Sequence, residues 1–501
     1  MANRRVLINA TMSVVQILAM SLVLWLLYGF LLRTIGVELL GVWSLTLAAA
    51  VAARAGDLGF SASVVKYVAA HLARGDQERA ARTVETAALS AGMLTAAISL
   101  AAWPLLKWLL AKLLTGESLA AAETLLPFAL AYLCLSSVAG VFQSAFDGCQ
   151  QIAARSLLVI AGEIAHLALC YWLVPRYGLL GLAYARLTQT AAFLAINWLA
   201  LKRFLPELGW LPIRWQLEAF REMMVYGLNA QVVWLVSLLH DPLTKSLLVT
   251  FGGTALVGYY EMASRLVSQL RTAIIAANQS LVPVIAGLHE SQPDATHRLY
   301  RESYRLLFFF GVPLFALLGA TLPIVSELWI GTYERRFVVC GALLAAGWFG
   351  NLLSAPAYFM NLGTGDLRWN TISHLVLGVL NLALGWLLGK TFGGFGVAAA
   401  SALALIVSGA SVVAAYHRKW SVPLNELLPP ASWWLIAVGS AGVLVAATIY
   451  HQLRPTTGLW MVTGLVTLAS GLVIVAPAWF HATRKRLSGW LTTQLSKSSA
   501  N

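Results

Sequence analysis

Ten charged side chains stand inside long apolar stretches of this 501-residue chain, six of them cationic (Arg54, Lys66, Arg186, Lys245, Arg265, Arg271) and four anionic (Asp57, Glu163, Asp241, Glu261). An ionised group at the centre of a bilayer costs at least about 2.5–3.5 kcal/mol on insertion scales, so such residues mark a partner or a water-filled path. Arginine stays charged at any biological pH and offers a planar fork of donors, which suits phosphate oxygens. Embedded carboxylates, with His166 and His240 beside them, suit the uptake of a proton or a sodium ion.

Spacing pairs several of these groups. Arg54 and Asp57 are three residues apart, while Asp241 and Lys245, and Glu261 and Arg265, are four apart, the separations that bring side chains together on one helical face. Pro242 interrupts the helix beside Asp241. Mutual neutralisation explains Arg54 with Asp57, and Glu261 with Arg265, as well as ligand capture does. Arg271 has no carboxylate within one turn of its own helix. His166 reads equally as a packing residue or as a proton carrier, and His374 as packing. Cations exceed anions by two, which favours anionic cargo.

The elements that position these groups are membrane helices. Hydrophobic residues make up 59% of the chain and charged ones 11%, with a mean hydropathy of +0.75. Apolar runs of about 20 residues recur between short polar breaks, and in lipid only a helix satisfies such a run from within. Fourteen spans are predicted, centred near residues 20, 55, 96, 132, 165, 190, 237, 270, 316, 348, 380, 406, 442 and 469. An even count places both termini on one face. Loops on that face carry 20 Lys and Arg residues against 8 on the other, so the termini are expected in the cytoplasm.

The net charge of +13 is spread over many loops, so no nucleic-acid partner is expected. The four cysteines lack paired spacing, and no disulfide framework or metal site is expected. There is no Gly-rich phosphate loop, and no cofactor is expected. Arg4-Arg5 precedes an apolar run too long for an export signal. The longest connection, from about Phe204 to Arg221, mixes Trp210 and Trp215 with Arg214, which suits either a segment lying on the inner membrane surface or an ordinary cytoplasmic linker.

Two halves are similar. Leu39-Leu40-Gly41-Val42-Trp43 returns as Leu256-Val257-Gly258-Tyr259-Tyr260, and Tyr177-Gly178-Leu179-Leu180-Gly181-Leu182-Ala183 as Phe392-Gly393-Gly394-Phe395-Gly396-Val397-Ala398. Under the first offset Arg54 falls on Arg271. Internal repeats in an apolar chain are the usual plan of a transporter.

Gly56-Asp57-Leu58-Gly59-Phe60, followed by Lys66-Tyr67-Val68-Ala69 and Arg74-Gly75-Asp76, resembles the second helix and first loop of bacterial polysaccharide exporters. Gly258 to Leu266 is similar to the eighth-helix pattern of O-antigen and lipid II flippases. The chain thus resembles the multidrug, oligosaccharidyl-lipid and polysaccharide exporter superfamily. That resemblance implies an all-α, polytopic fold with two six-helix bundles in a V and a C-terminal helix pair. On this chain the bundles would be 1–205 and 222–420, joined by a 206–221 linker and followed by helices 13 and 14 over 421–485 and a cytoplasmic tail, 486–501.

The resemblance also implies a non-enzymatic flippase of the bacterial inner membrane. It would carry a polyprenyl-pyrophosphate-linked oligosaccharide between leaflets, with membrane lipid, H⁺ or Na⁺, and polymerase or glycosyltransferase enzymes as partners. The headgroup would meet Arg54, Arg271, Arg265, Lys66, Arg186 and Lys245. Coupling or ion pairing would fall to Asp57, Glu163, Asp241, Glu261, His166 and His240. A cation antiporter of the same superfamily is the alternative, and a membrane-embedded glycosyltransferase or polymer ligase a more distant one.

Overall fold

A computed structural model describes residues 2–51, 59–225, 239–279, 285, 293–364, 366–423, 427–428 and 432–475, and these residues are overwhelmingly helical. Twelve helices carry the argument: α1 Ala2–Ala50, α2 Phe60–Ala73, α3 Gln77–Leu113, α4 Gly116–Gly148, α5 Ile152–Leu201, α6 His240–Gln279, α7 Pro293–Ile330, α8 Arg335–Leu352, α9 Ala355–Thr364, α10 Arg368–Trp420, α11 Ser432–Leu453 and α12 Leu459–Ser470. Twelve of the fourteen expected span centres fall inside these helices. The other two, near 55 and 237, lie outside the described residues, as do Arg54 and Asp57.

Among the described residues, eight helices are long and apolar enough to cross a membrane. These eight carry ten of the expected spans, because α5 and α10 are each folded in two; the spans near 270 and 469 fall on α6 and α12. A straight 50-residue helix such as α5 would run about 75 Å, well over twice a hydrocarbon core of ~30 Å. Gly178 breaks α5 at φ 54°, ψ −131°, and Gly393 breaks α10 at φ 63°, ψ −151°. A Cβ on Gly181 would lie 2.3 Å from the Leu173 carbonyl oxygen, and one on Gly396 would lie 2.0 Å from that of Leu388. Residues eight apart touch in this way only if the chain reverses between them, since eight residues of straight helix span about 12 Å. The second repeated motif is therefore a pair of helical hairpins whose turns need a left-handed residue and whose arms need a bare backbone.

The first repeated motif is also a matched pair. Gly36 interrupts α1 at φ 81°, ψ 167°, and Gly253 interrupts α6 at φ 77°, ψ 173°. The chain divides into two compact units, Met1–Met262 and Ala263–Asn501. The first of these extends past the linker because the two copies of this motif meet inside it. A Cβ on Gly41 would fall 1.9 Å from the Thr254 carbonyl oxygen, and one on Gly258 would fall 2.3 Å from that of Val37. Small residues permit such backbone contact, the main source of helix association where lipid removes the hydrophobic drive.

Within the first unit α1 packs on α5, and α4 on α3 and α5. Val15, Leu18, Leu22 and Leu26 form an exposed stripe on α1, while Val23, Leu27, Tyr28 and Leu31 are buried. The helix is apolar on both sides, as expected of a span facing lipid on one side and protein on the other. Within the second unit α8 packs on α10 through small residues: a Cβ on Gly347 would lie 2.7 Å from Ala402 Cα, and one on Gly409 would lie 2.9 Å from Asn351 Cα. α11 rests on α7 and on α12, which continues as a π-helical turn, Gly471–Val475.

The linker is strapped to α3. Glu85 is fully buried, and its carboxylate accepts from Arg214 Nη2 at 2.6 Å, Arg214 Nε at 3.0 Å, and the backbone N–H groups of Gly209 at 2.8 Å and Arg214 at 3.1 Å. This hydrogen bonding raises Arg214 above the ordinary guanidinium range. Trp215 Nε1 donates to Ser90 Oγ at 3.0 Å, and Gln216 N–H to Thr86 Oγ1 at 3.2 Å. Trp210 is 82% exposed, with the Lys202 ammonium 3.9 Å from its ring centre.

Candidate functional site

Three clusters gather the described ionisable residues. The first forms where the two copies of the Gly41/Gly258 motif meet. Glu261 accepts from Tyr28 Oη at 3.0 Å and from Ser44 Oγ at 2.9 Å, and Lys245 Nζ lies 2.8 Å from its Oε2. Ser44 and Glu261 are 217 residues apart, the offset that relates Gly41 to Gly258, so equivalent positions of the repeat bond to each other. Lys245 also reaches Asp241 at 2.6 Å; Lys245 and Glu261 side chains are each 5% exposed, and Asp241 is 49% exposed. Spacing alone offered Arg265 to Glu261, but the carboxylate turns to Lys245 one kink away. His240 opens α6 and is buried beside this cluster, with Pro242 in the first turn, where a missing N–H costs no helical bond.

This arrangement places one ammonium between two carboxylates, with two hydroxyls on the more buried acid. Its formal charge is negative. Lys245 is therefore held as an internal counter-ion, and Asp241 is the exposed acid of the set.

The second cluster lies between α4 and the two arms of α5. Arg186 Nη1 donates to both oxygens of Glu163, at 3.1 and 3.2 Å, and Nη2 donates to Tyr132 Oη at 3.1 Å. The two charges cancel. Glu163 and Arg186, expected in separate tasks, lie 23 residues apart in the chain, and the hairpin at Gly178 brings them together. His166, buried nearby, contacts Cys170 Sγ at 3.6 Å through Nε2.

The third cluster is in the second unit. The Arg271 guanidinium lies 3.9 Å from the centre of the Trp348 ring, within electrostatic reach of Tyr358 and His374. Tyr358 Oη and His374 Nε2 are 3.5 Å apart. Among the described residues no carboxylate forms an ion pair with Arg271, which is partly buried. A guanidinium on an indole face is stabilised without using its in-plane donors. Sequence reading found Arg271 but not its aromatic support, since Trp348 lies on another helix, α8.

Lys66 lies exposed on α2, 5.1 Å from the Tyr67 ring centre, and Arg265 is exposed on α6. Neither joins the three clusters through the contacts described. Among the described residues, no group of three or more His, Cys, Asp or Glu side chains is placed to hold a metal ion.

A family profile described as polysaccharide biosynthesis protein matches residues 30–332. No curated protein matches the sequence. Among solved structures, the inward closed conformation of the lipid II flippase MurJ is similar with a TM-score of 0.72 at 12% identity, covering 94% of this chain and 98% of that one. An inward-facing multidrug resistance MATE family transporter of the MOP superfamily gives 0.68 at 16% identity, covering 79% and 94%. A MOP superfamily transporter from Pyrococcus furiosus, whose reported binding pocket has reversed polarity, gives 0.56 at 16% identity, covering 85% and 95%.

Proposed function

Since the chain belongs to the polysaccharide biosynthesis protein family and is a multi-pass helical membrane protein, we propose that it is a flippase for a polyprenyl-pyrophosphate-linked oligosaccharide. It would act in a bacterial inner membrane, with both termini cytoplasmic, supplying enzymes that build a surface polysaccharide. The observation that carries this reading is Arg271, an embedded guanidinium supported by Trp348 and unpaired with any carboxylate among the described residues. Such a group holds its fork of donors ready for a diphosphate. Arg54, its counterpart under the repeat, would supply the second cation.

Alternating access then needs no covalent step. The headgroup is drawn to the arginines from the inner leaflet, the halves exchange conformations, and the sugar crosses in the hydrated interior while the polyprenyl tail stays in lipid. Arg186 and Lys245, already neutralised by Glu163 and by Asp241 with Glu261, hold helices in register in this scheme. Asp241 and Glu261 are the coupling groups, since a proton or sodium ion arriving there changes the charge of a set that is negative when empty.

The test is surface polysaccharide in a strain whose own gene is deleted. Arg271→Ala should abolish it while the protein remains inserted and abundant, and Arg271→Lys should restore only part, because a single ammonium cannot match the bidentate fork. Normal polysaccharide from an Arg54→Ala, Arg271→Ala double variant would overturn headgroup capture.

A further inference from the structure

The cavity beside Arg186 has no task in headgroup capture. It has a volume of about 230 Å³ and is lined by Tyr132, Gln143, Glu163, Arg186, Gln189 and Phe193, all on α4 and α5. At ~30 Å³ per water this is space for roughly seven or eight waters, the scale of one pyranose ring with its hydroxyls. The Arg186–Glu163 pair leaves no net charge to attract phosphate or a metal ion.

What remains is a set of planar polar groups. A carboxylate offers about four acceptor positions, and Arg186 Nη1 takes one on each oxygen. The amides of Gln143 and Gln189 each carry a donor and an acceptor, and the Gln189 oxygen already accepts from Thr190 Oγ1 at 3.2 Å. Tyr132 and Phe193 add aromatic rings to the lining, the first with the Arg186 guanidinium 4.9 Å from its centre. Vicinal hydroxyls of a sugar are donors and acceptors at fixed spacing around a ring whose faces are C–H, so they match in-plane polar groups flanked by aromatic rings. A monoanion or a simple cation would find its charge already cancelled.

We propose that this cavity binds one neutral sugar residue, and that it reads the carbohydrate part of the transported lipid. The second clause rests on the flippase reading above; the first stands on the cavity alone. Gly140 lines the cavity, and a Cβ there meets only Ser61 Oγ on α2 at 3.4 Å, so the helix accommodates a larger side chain at this point of the lining.

The experiment uses the full chain in lipid nanodiscs. Free glucose, galactose, N-acetylglucosamine and rhamnose are tested by saturation-transfer NMR, and inorganic pyrophosphate by calorimetry. At least one neutral sugar should bind, and both Gly140→Leu, which adds bulk to the lining, and Gln143→Ala, which removes an amide without crowding, should weaken it at least tenfold. Pyrophosphate should bind both variants as it binds the parent and be lost in Arg271→Ala. Binding of none of the four sugars by the parent, or equal sugar binding in the parent and a monodisperse variant, overturns the sugar site. So does loss of pyrophosphate in Gly140→Leu, which would make the cavity an anion site. Retention of pyrophosphate by Arg271→Ala instead overturns headgroup capture and leaves the sugar site standing.

Discussion

Arg186 and Arg271 have the same side chain and opposite circumstances. Arg186 is held by Glu163 and Tyr132, so deleting its guanidinium strands a carboxylate. Breaking a buried pair from one side costs about 3–5 kcal/mol, whereas replacing both members is often neutral. Arg186→Ala should therefore lower the thermal midpoint of the purified protein, and Arg186→Gln with Glu163→Gln should recover most of the loss, measured by scanning fluorimetry. Arg271→Ala should leave the midpoint near the parent value, because the guanidinium rests on the Trp348 face rather than completing an ion pair with a described acid. The charged residues themselves were legible in the sequence, since their types are conspicuous in apolar runs. Their partners were not, because Glu163 with Arg186 and Arg271 with Trp348 join across hairpins and between helices, beyond any one-turn spacing rule.

At the scale of elements, glycine decides where helices fold back. Gly396→Ala puts a methyl group about 2.0 Å from the Leu388 carbonyl oxygen and should prevent the α10 hairpin from closing, giving a protein that is degraded or aggregates on solubilisation. Gly378→Ala, on the same helix with nothing within 4 Å of its Cβ, should accumulate normally, and immunoblotting of membranes separates the two. The repeated glycines were visible in the sequence, but whether they mark turns or seams was not, because both demand the same bare backbone. Outside the membrane, Lys419 Nζ sits 2.6 Å from Asp366, and this hydrogen bond holds the Asp366 carboxyl below the ordinary carboxylate range. A depressed carboxylate adds stability above its unfolded pKa of about 3.9, lost as pH falls through and below that value. Amide exchange at 366–368 and in the last turn of α10 should be slow at pH 6 and quicken, beyond the intrinsic pH effect, below about pH 4.

For the whole molecule, hydropathy sufficed for the span plan because lipid admits few alternatives to a helix, and the fold matches MOP superfamily transporters over most of the chain. The compact units divide between Met262 and Ala263, beyond the linker at which the resemblance would part the two bundles. Backbone contact between Gly41 and Thr254 joins segments that no composition rule connects. Gly41→Val, which drives a branched side chain into that contact, should abolish surface polysaccharide in the deletion strain, whereas Gly464→Val, with nothing within 4 Å of its Cβ, should leave it unchanged.

The fastening of the linker fixes how much slack the polypeptide has. Counted from Leu201, where α5 ends, the connection looks like a long leash, but beyond Gln216 it is held again on α2, where the Met223 carbonyl accepts from Ser63 Oγ at 3.0 Å. About 22 residues that would reach roughly 75 Å if extended therefore contribute nothing to its play. Inserting glycine and serine ahead of Arg214 should leave the reach of the downstream chain unaltered, while the same insertion after Met223 lengthens it, so the residue at which a spacer is placed matters more than its length.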